Sequence, residues 1–183
     1  MLKSIKKSLV VVGLSLSMST AAMAMDTVLY TKLANDTISE ANGGFVSNIN
    51  SLIKVQKQLV KLGKEGSEQY LKRHPEHADL LGLVIAEADN MMKMTLEEIE
   101  DQWHQGKFMK SKGYDLQSMD HFGELFSLMD SIIHPATSYI ALNDYKRTRK
   151  DEYLARAAAE LIEVVEHVAH IGKKGDGTQL SSN

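Results

Sequence analysis

The chain contains no cysteine. That excludes disulfides, a cysteine-linked lipid anchor and the C-x-x-C-H attachment of c-type haem. Proline is almost as scarce, with Pro75 and Pro135 the only two, beside 12 glycines in 183 residues. So few chain breakers argue against a turn-rich β fold and for helices. A basic excess is missing too, since 21 Lys and Arg face 24 Asp and Glu. Phosphate contacts need a basic patch, so nucleic acid is a poor partner for this chain. Familiar catalytic signatures are absent. There is no serine or cysteine nucleophile motif and no H-E-x-x-H, and Gly43-Gly44 lacks the spacing and lysine of a phosphate loop. Nothing positive argues for an enzyme.

What is present begins with a leader. Lys3, Lys6 and Lys7 form a positive n-region, Leu9–Leu16 a short apolar run, and Ala22-Met23-Ala24 an A-x-A cleavage site. Those are the three parts of a secretory signal peptide. The apolar run is too short for a membrane span, which needs about 20 residues, and no later segment offers one. Residues 1–24 are therefore expected to be cleaved. Taking three lysines from the 21 basic residues leaves 18 against 24 acids, a net charge of −6 with histidines neutral. Residues 25–171 are expected to form one helical domain and 172–183 a flexible polar tail. The expected address is the periplasm or the exterior.

The apolar spacing predicts helices over 26–40, 45–62, 75 to about 105, about 116–146 and 151–171. Gly63 and Gly66 are expected to end the second. Pro75 is expected to open the third, where its missing N–H costs nothing. Met119, Phe122, Phe126, Met129, Ile133, Ala136 and Ile140 form the core stripe of the fourth, with a kink at Pro135. The expected fold is all-α, an antiparallel four-helix bundle with a short extra N-terminal helix. The basic, aromatic run 107–114 (KFMKSKGY) is expected to be a solvated loop, with Phe108 and Met109 folded back onto the bundle.

Three of these helices set acids near histidines. Asp101 precedes His104 by three residues. His121 precedes Glu124, and Asp130 precedes His134. Glu163 and Glu166 precede His167 and His170. Acid and histidine at i, i+3 or i, i+4 share a helix face, and bundles use that spacing to hold metals. The nitrogen and oxygen donors of His104, His121, His134, His167, His170, Asp101 and Glu163 would suit a divalent transition metal such as zinc, iron, nickel or copper(II). Helix directions weigh against an interior di-metal centre. At about 100° per residue, Glu163, His167 and His170 lie opposite the stripe Leu154–Leu161–Val165–Val168. Asp101 and His104 lie off the stripe of their helix, and His121 and His134 fall on the edges of theirs. The expectation is solvated ion pairs at 97–104 and 163–170, with a helix groove near His134 as the best place for a site. His74-Pro75-Glu76-His77 reads as capping and turn chemistry.

Met91, Met92 and Met94 read as gap fillers of the core. Ala157–Leu161 (AAAEL), with His170 near the helix end, resembles the last helix of the soluble b-type four-helix cytochromes of the periplasm. The resemblance covers about one helix. It implies haem held by His170 and by a methionine early in the first helix. This chain departs from it, having only Met25 there and an outward His170. The sequence thus points to an exported, non-enzymatic binding protein for an envelope partner or a small ligand such as a transition metal. The alternative is a haem or di-metal redox protein.

Overall fold

The computed structural model describes residues 25–44, 46 and 48–172, without the side chain of Gln117. The expected leader and all but the first residue of the expected tail lie outside the described residues, as does Phe45, the expected first residue of the second helix. All the regular structure described is helical. The long elements are α1 (Thr27–Asn42), α2 (Ile49–Arg73), α3 (Ala78–Met91), α6 (Glu124–Thr148) and α7 (Asp151–Val168). Two short ones, α4 (Leu96–Ile99) and α5 (Lys107–Ser111), lie between α3 and α6.

The core helix is α6. It packs along α7 and α2, and α3 lies against it as well. In turn α1 lies against α7 and α2. Every residue from Ser127 to Ser138 is buried, so the middle of α6 is covered on all sides. Such a helix carries no single apolar stripe. Its interior includes Ser127, Asp130, Ser131, His134, Thr137 and Ser138. Buried polar side chains need partners; all of these but Ser127, whose hydroxyl has none among the described residues, find one, and these partners organise much of the molecule.

Pro135 lies inside α6. Its nitrogen has no hydrogen, so the Ser131 carbonyl one turn earlier loses its helical donor. The fully buried Tyr30 of α1 supplies the replacement, its hydroxyl donating to Ser131 O at 2.9 Å. Burial, and then the charge of Asp130, raise the Tyr30 pKa well above its ordinary value, so the hydroxyl keeps its proton. At the same spot α2 passes with Gly63, where a Cβ would stand 2.5 Å from the Ser131 carbonyl oxygen. Gly66 makes similar room for Met25. Neither glycine ends α2, contrary to expectation, because each serves a close approach. Tyr30→Phe is expected to cost about 1–3 kcal/mol, the cost of an orphaned buried carbonyl. Urea denaturation measures it, and an unchanged midpoint would show that the carbonyl finds another donor.

The expected helix from Pro75 to Gln105 is broken into several pieces. Pro75–His77 forms one 3-10 turn, and α3 stops at Met91. Thr95 then starts α4 with a capping box. Its hydroxyl accepts from Glu98 N at 3.1 Å, and the Glu98 carboxylate accepts from Thr95 N at 2.8 Å. The T-x-x-E sequence is the usual mark of such a start. Residues Glu100–His104 continue as a π-turn, closed by Gln105 N donating to Glu100 O at 2.9 Å. The extra residue per turn rotates every later side chain away from an α-helical count. In α5, Met109 is buried and Phe108 packs on Trp103, with ring centroids 4.6 Å apart. The run 107–114 is thus partly helical and folded onto the core.

A third correction concerns the start of α6. Met119–Phe122 lie in a turn, Gly123 is extended, and the helix begins at Glu124. Phe122 is 59% exposed. Phe126 is half-buried. Neither belongs to the fully buried core that the stripe assigned them to.

Candidate metal centre

His104, His134 and Glu160 each offer a ligand atom, and the three atoms lie within 4.8 Å of one another. Each comes from a different element, the π-turn, α6 and α7. His134 Nδ1 stands 2.8 Å from Glu160 Oε2, and His104 Nε2 stands 3.5 Å from the same oxygen. The side chains are 7%, 4% and 16% exposed for His134, Glu160 and His104. Thr137, one turn along from His134, bonds His104 Nε2 at 2.9 Å. On the outer side, Arg156 holds the second carboxylate oxygen of Glu160 at 2.7 Å through Nε and also pairs with Glu100.

A second pair adjoins this group. Asp130 Oδ2 makes a short contact with His167 Nδ1 and stands 3.9 Å from His134 Nε2. The rings of His104 and His134 lie 5.0 Å apart, and those of His134 and His167 lie 6.2 Å apart. Glu160, His134, Asp130 and His167 therefore form one continuous polar row. Glu163 reaches His134 Nδ1 at 3.6 Å, although its side chain is 67% exposed.

The charge states follow from the surroundings. Burial pushes the His134 pKa down, but the hydrogen bond to Glu160 and the charges of Asp130, Glu160 and Glu163 outweigh it, and the net shift is upward. Burial would raise Glu160. Its bond to His134 and the charges of His134, His104 and Arg156 win, and its pKa is lowered. Burial lowers His104, only partly opposed by Glu160, while nearby positive charge on His134 pushes the same way. A neutral imidazole and an ionised carboxylate are ready ligands. A protonated imidazole must first lose its proton, so metal would compete with acid.

Two cavities flank the group. One of about 420 Å³ is lined by His104, His134, Asp130 and His167 together with Trp103, Phe122, Phe126, Met129 and Ile133. The other, about 300 Å³, is lined by Glu100, His104, Arg156, Ala159, Glu160 and Glu163.

Two of the seven residues singled out by sequence, His104 and His134, thus come together in the triad. His134 is not at a groove edge but buried. His104 is turned inward, because the π-turn shifts the face count. His167, expected to face water, is largely buried and paired with Asp130, its side chain 18% exposed. The 163–170 segment is therefore not one solvated face. Glu163 stands at the rim. His121 is exposed, against the edge of Phe126. His170 packs beside Phe122 with ring centroids 5.1 Å apart. Asp101 pairs with Lys107 at the surface, away from the triad. The residue that sequence reasoning missed is Glu160. It lies inside the run read as an alanine-rich haem-type helix, and its i, i+3 and i, i+7 relation to Glu163 and His167 was the available signal.

The two residues of the haem comparison sit in different settings. Met25 packs against Gly66 of α2, and His170 lies beside Phe122 near the end of α7. His74 and His77 stack on Tyr70, whose hydroxyl lies 2.8 Å from His77 Nδ1. No described helix is long and apolar enough to cross a membrane. No protein-family model matches the chain, and no curated protein or solved structure is significantly similar to it.

Proposed function

We propose that this is an exported protein, periplasmic or secreted, that binds one divalent transition metal at His104, His134 and Glu160. The observation that carries the reading is ligand spacing. Donors about 2.0 Å from a tetrahedral zinc ion stand about 3.3 Å apart. The separations of 2.8 and 3.5 Å to Glu160 Oε2 bracket that value. Donor chemistry agrees, since two imidazoles and a carboxylate suit zinc, iron, nickel or copper(II). So does the outer shell. Arg156 fixes Glu160 through its second oxygen, and Asp130 lies 3.9 Å from the free nitrogen of His134. Ligands held in this way are typical of metal sites. Thr137, in contrast, bonds the ligating Nε2 of His104 itself and must yield it to the metal. The acidic cavity at Glu100 and Glu163 offers an entry path for a cation.

The same packing supports a four-helix bundle as the scaffold. Its members would be α1, α2, α6 and α7, which contact one another in a closed ring. In this arrangement α1 is a full member and α3 lies outside. Export rests on the leader-like pattern of residues 1–24.

Equilibrium dialysis of the purified protein against zinc tests the proposal. One equivalent is expected to bind. His104→Ala and His134→Ala should each weaken binding by more than about 100-fold, beyond the usual effect of an outer-shell change. Sub-stoichiometric zinc, or variants that bind as the parent does, would sink it. The row Asp130–His167 favours a second reading, a di-metal protein. Its mark would be two equivalents, with Asp130→Asn losing only one of them.

A further inference from the structure

The triad supplies three protein ligands, and a tetrahedral ion takes four. We infer that Glu163 is the fourth, a carboxylate that swings in from the rim and closes the shell over the bound ion. This rests on the metal reading above and goes beyond it by naming the last ligand and the closed state of the loaded site.

Glu163 Oε2 stands 3.6 Å from His134 Nδ1, the same nitrogen that meets Glu160 at 2.8 Å. A metal about 2.0 Å from that nitrogen lies within about 5.6 Å of the Glu163 oxygen. Glu163 is outside the group whose ligand atoms all fall within 4.8 Å of one another, so ligation requires it to move. Its side chain is 67% exposed, and exposed side chains change rotamer within nanoseconds. Helix α7 sets the direction of the swing, because Glu160 and Glu163 are three residues apart and share a face. Glu163 is also the acid common to the linings of both cavities that flank the triad.

Charge points the same way. Two neutral imidazoles and one carboxylate leave a divalent ion with one positive charge uncompensated. The triad is buried, and a buried charge needs a partner. Arg156, 2.7 Å from Glu160, adds positive charge there. The other acids nearby are committed. Asp130 pairs with His167 and faces the opposite nitrogen of the His134 ring, Nε2. Glu100 pairs with Arg156. The ion pair of Glu163 is to the ligating nitrogen itself.

A shell closed by four protein groups leaves no position for a substrate. The ion is then cargo, stored or carried, and the exposed arm is the part that opens to take it up and let it go.

Zinc affinity and zinc release test this on the purified protein and three variants. Glu163→Gln and Glu163→Ala remove the fourth ligand, and Glu166→Gln makes an equal charge change on the same helix. Competition with a chromophoric chelator should show zinc weakened at least about tenfold in both Glu163 variants, the lower end even for outer-shell changes. Release to EDTA should quicken by a similar factor. Glu166→Gln should stay within about twofold of the parent, since an exposed charge away from the ion is screened by salt. Cobalt(II) reads the shell directly. Azide should leave the visible bands of the one-cobalt parent unchanged and shift those of Glu163→Ala, whose open position it fills. Parent bands that shift with azide, Glu163 variants that hold zinc as the parent does, or a loss as large in Glu166→Gln overturn the fourth ligand and leave the metal reading standing. Failure to bind zinc or cobalt overturns both.

Discussion

Glu160→Ala is expected to lower the unfolding free energy by about 3–5 kcal/mol near pH 6.5, the usual cost of removing one partner of a buried ion pair. The geometry explains the size. One carboxylate oxygen meets His134 and His104, and the other holds Arg156. Without them His134 loses its nearest partner, and burial drives it to give up its proton with only Asp130 and Glu163 nearby at 3.9 and 3.6 Å. Thr137 keeps His104 hydrogen-bonded, and Arg156 keeps Glu100, so those two contribute less to the loss. Glu160→Gln retains the shape and one acceptor, and should cost less than alanine. Metal separates the two roles of the residue. At a free zinc level about 100 times the dissociation constant, binding adds about 2.7 kcal/mol to the parent protein. Both variants should gain little of that. Chemical denaturation with and without zinc reads all six values. An alanine variant within about 1 kcal/mol of the parent would mean that Glu160 is not the hub of the network.

The helical class was readable from the sequence because the scarcity of breakers and the spacing of apolar residues are both local signals. The breaks were read less well, for identifiable reasons. Gly63 and Gly66 look like stop signals, but their role is a close approach to residues distant in sequence, which a local reading cannot see. The boundary at Thr95 was legible in its T-x-x-E pattern, although the apolar period runs through it. The π-turn was not legible. Counting 100° per residue from Met92 places His104 outside, and the count fails at the break before Thr95 and again at the inserted residue of the π-turn. In α6 the fault was different. A stripe analysis assumes one buried face, whereas the middle of this helix is buried all round. That is why Asp130 and His134 are interior in spite of their polarity. In α7 the buried face is wider than the stripe, taking in Ala157, Glu160 and Val164, and His167 next to it is covered where α6 packs over that edge. The individual acid–histidine spacings were visible; the convergence of three elements on one point was a tertiary fact.

The metal-free protein is expected to be most stable near pH 6.5 and to lose stability on either side. Three groups set this profile. The folded pKa of His134 is raised above the ordinary 6.5. Its contribution is fully present below that value and is lost as pH rises through the raised one, because the folded state then gives up a proton that the unfolded state has already released. His104 acts oppositely. Its folded pKa is lowered, so below 6.5 the unfolded chain binds a proton that the folded state refuses, and stability falls as pH drops. Glu160, lowered from 4.5, adds to the acid limb. Its contribution is present above 4.5 and is lost as pH falls through the lowered value. The two limbs thus have different owners, which variants can separate. His134→Gln should flatten the limb above 6.5, and His104→Gln the limb just below it. Metal should change both of them, since the stabilisation it adds is itself lost as acid strips the site. It also takes the place of the His134 proton, so with zinc saturating, the decline above 6.5 should disappear or reverse. Urea denaturation from about pH 4.5 to about pH 9, with and without zinc, resolves the limbs. A metal-free profile that keeps rising above pH 6.5 would show that His134 carries no proton in the fold, and with it the charge assignment of the triad would fail.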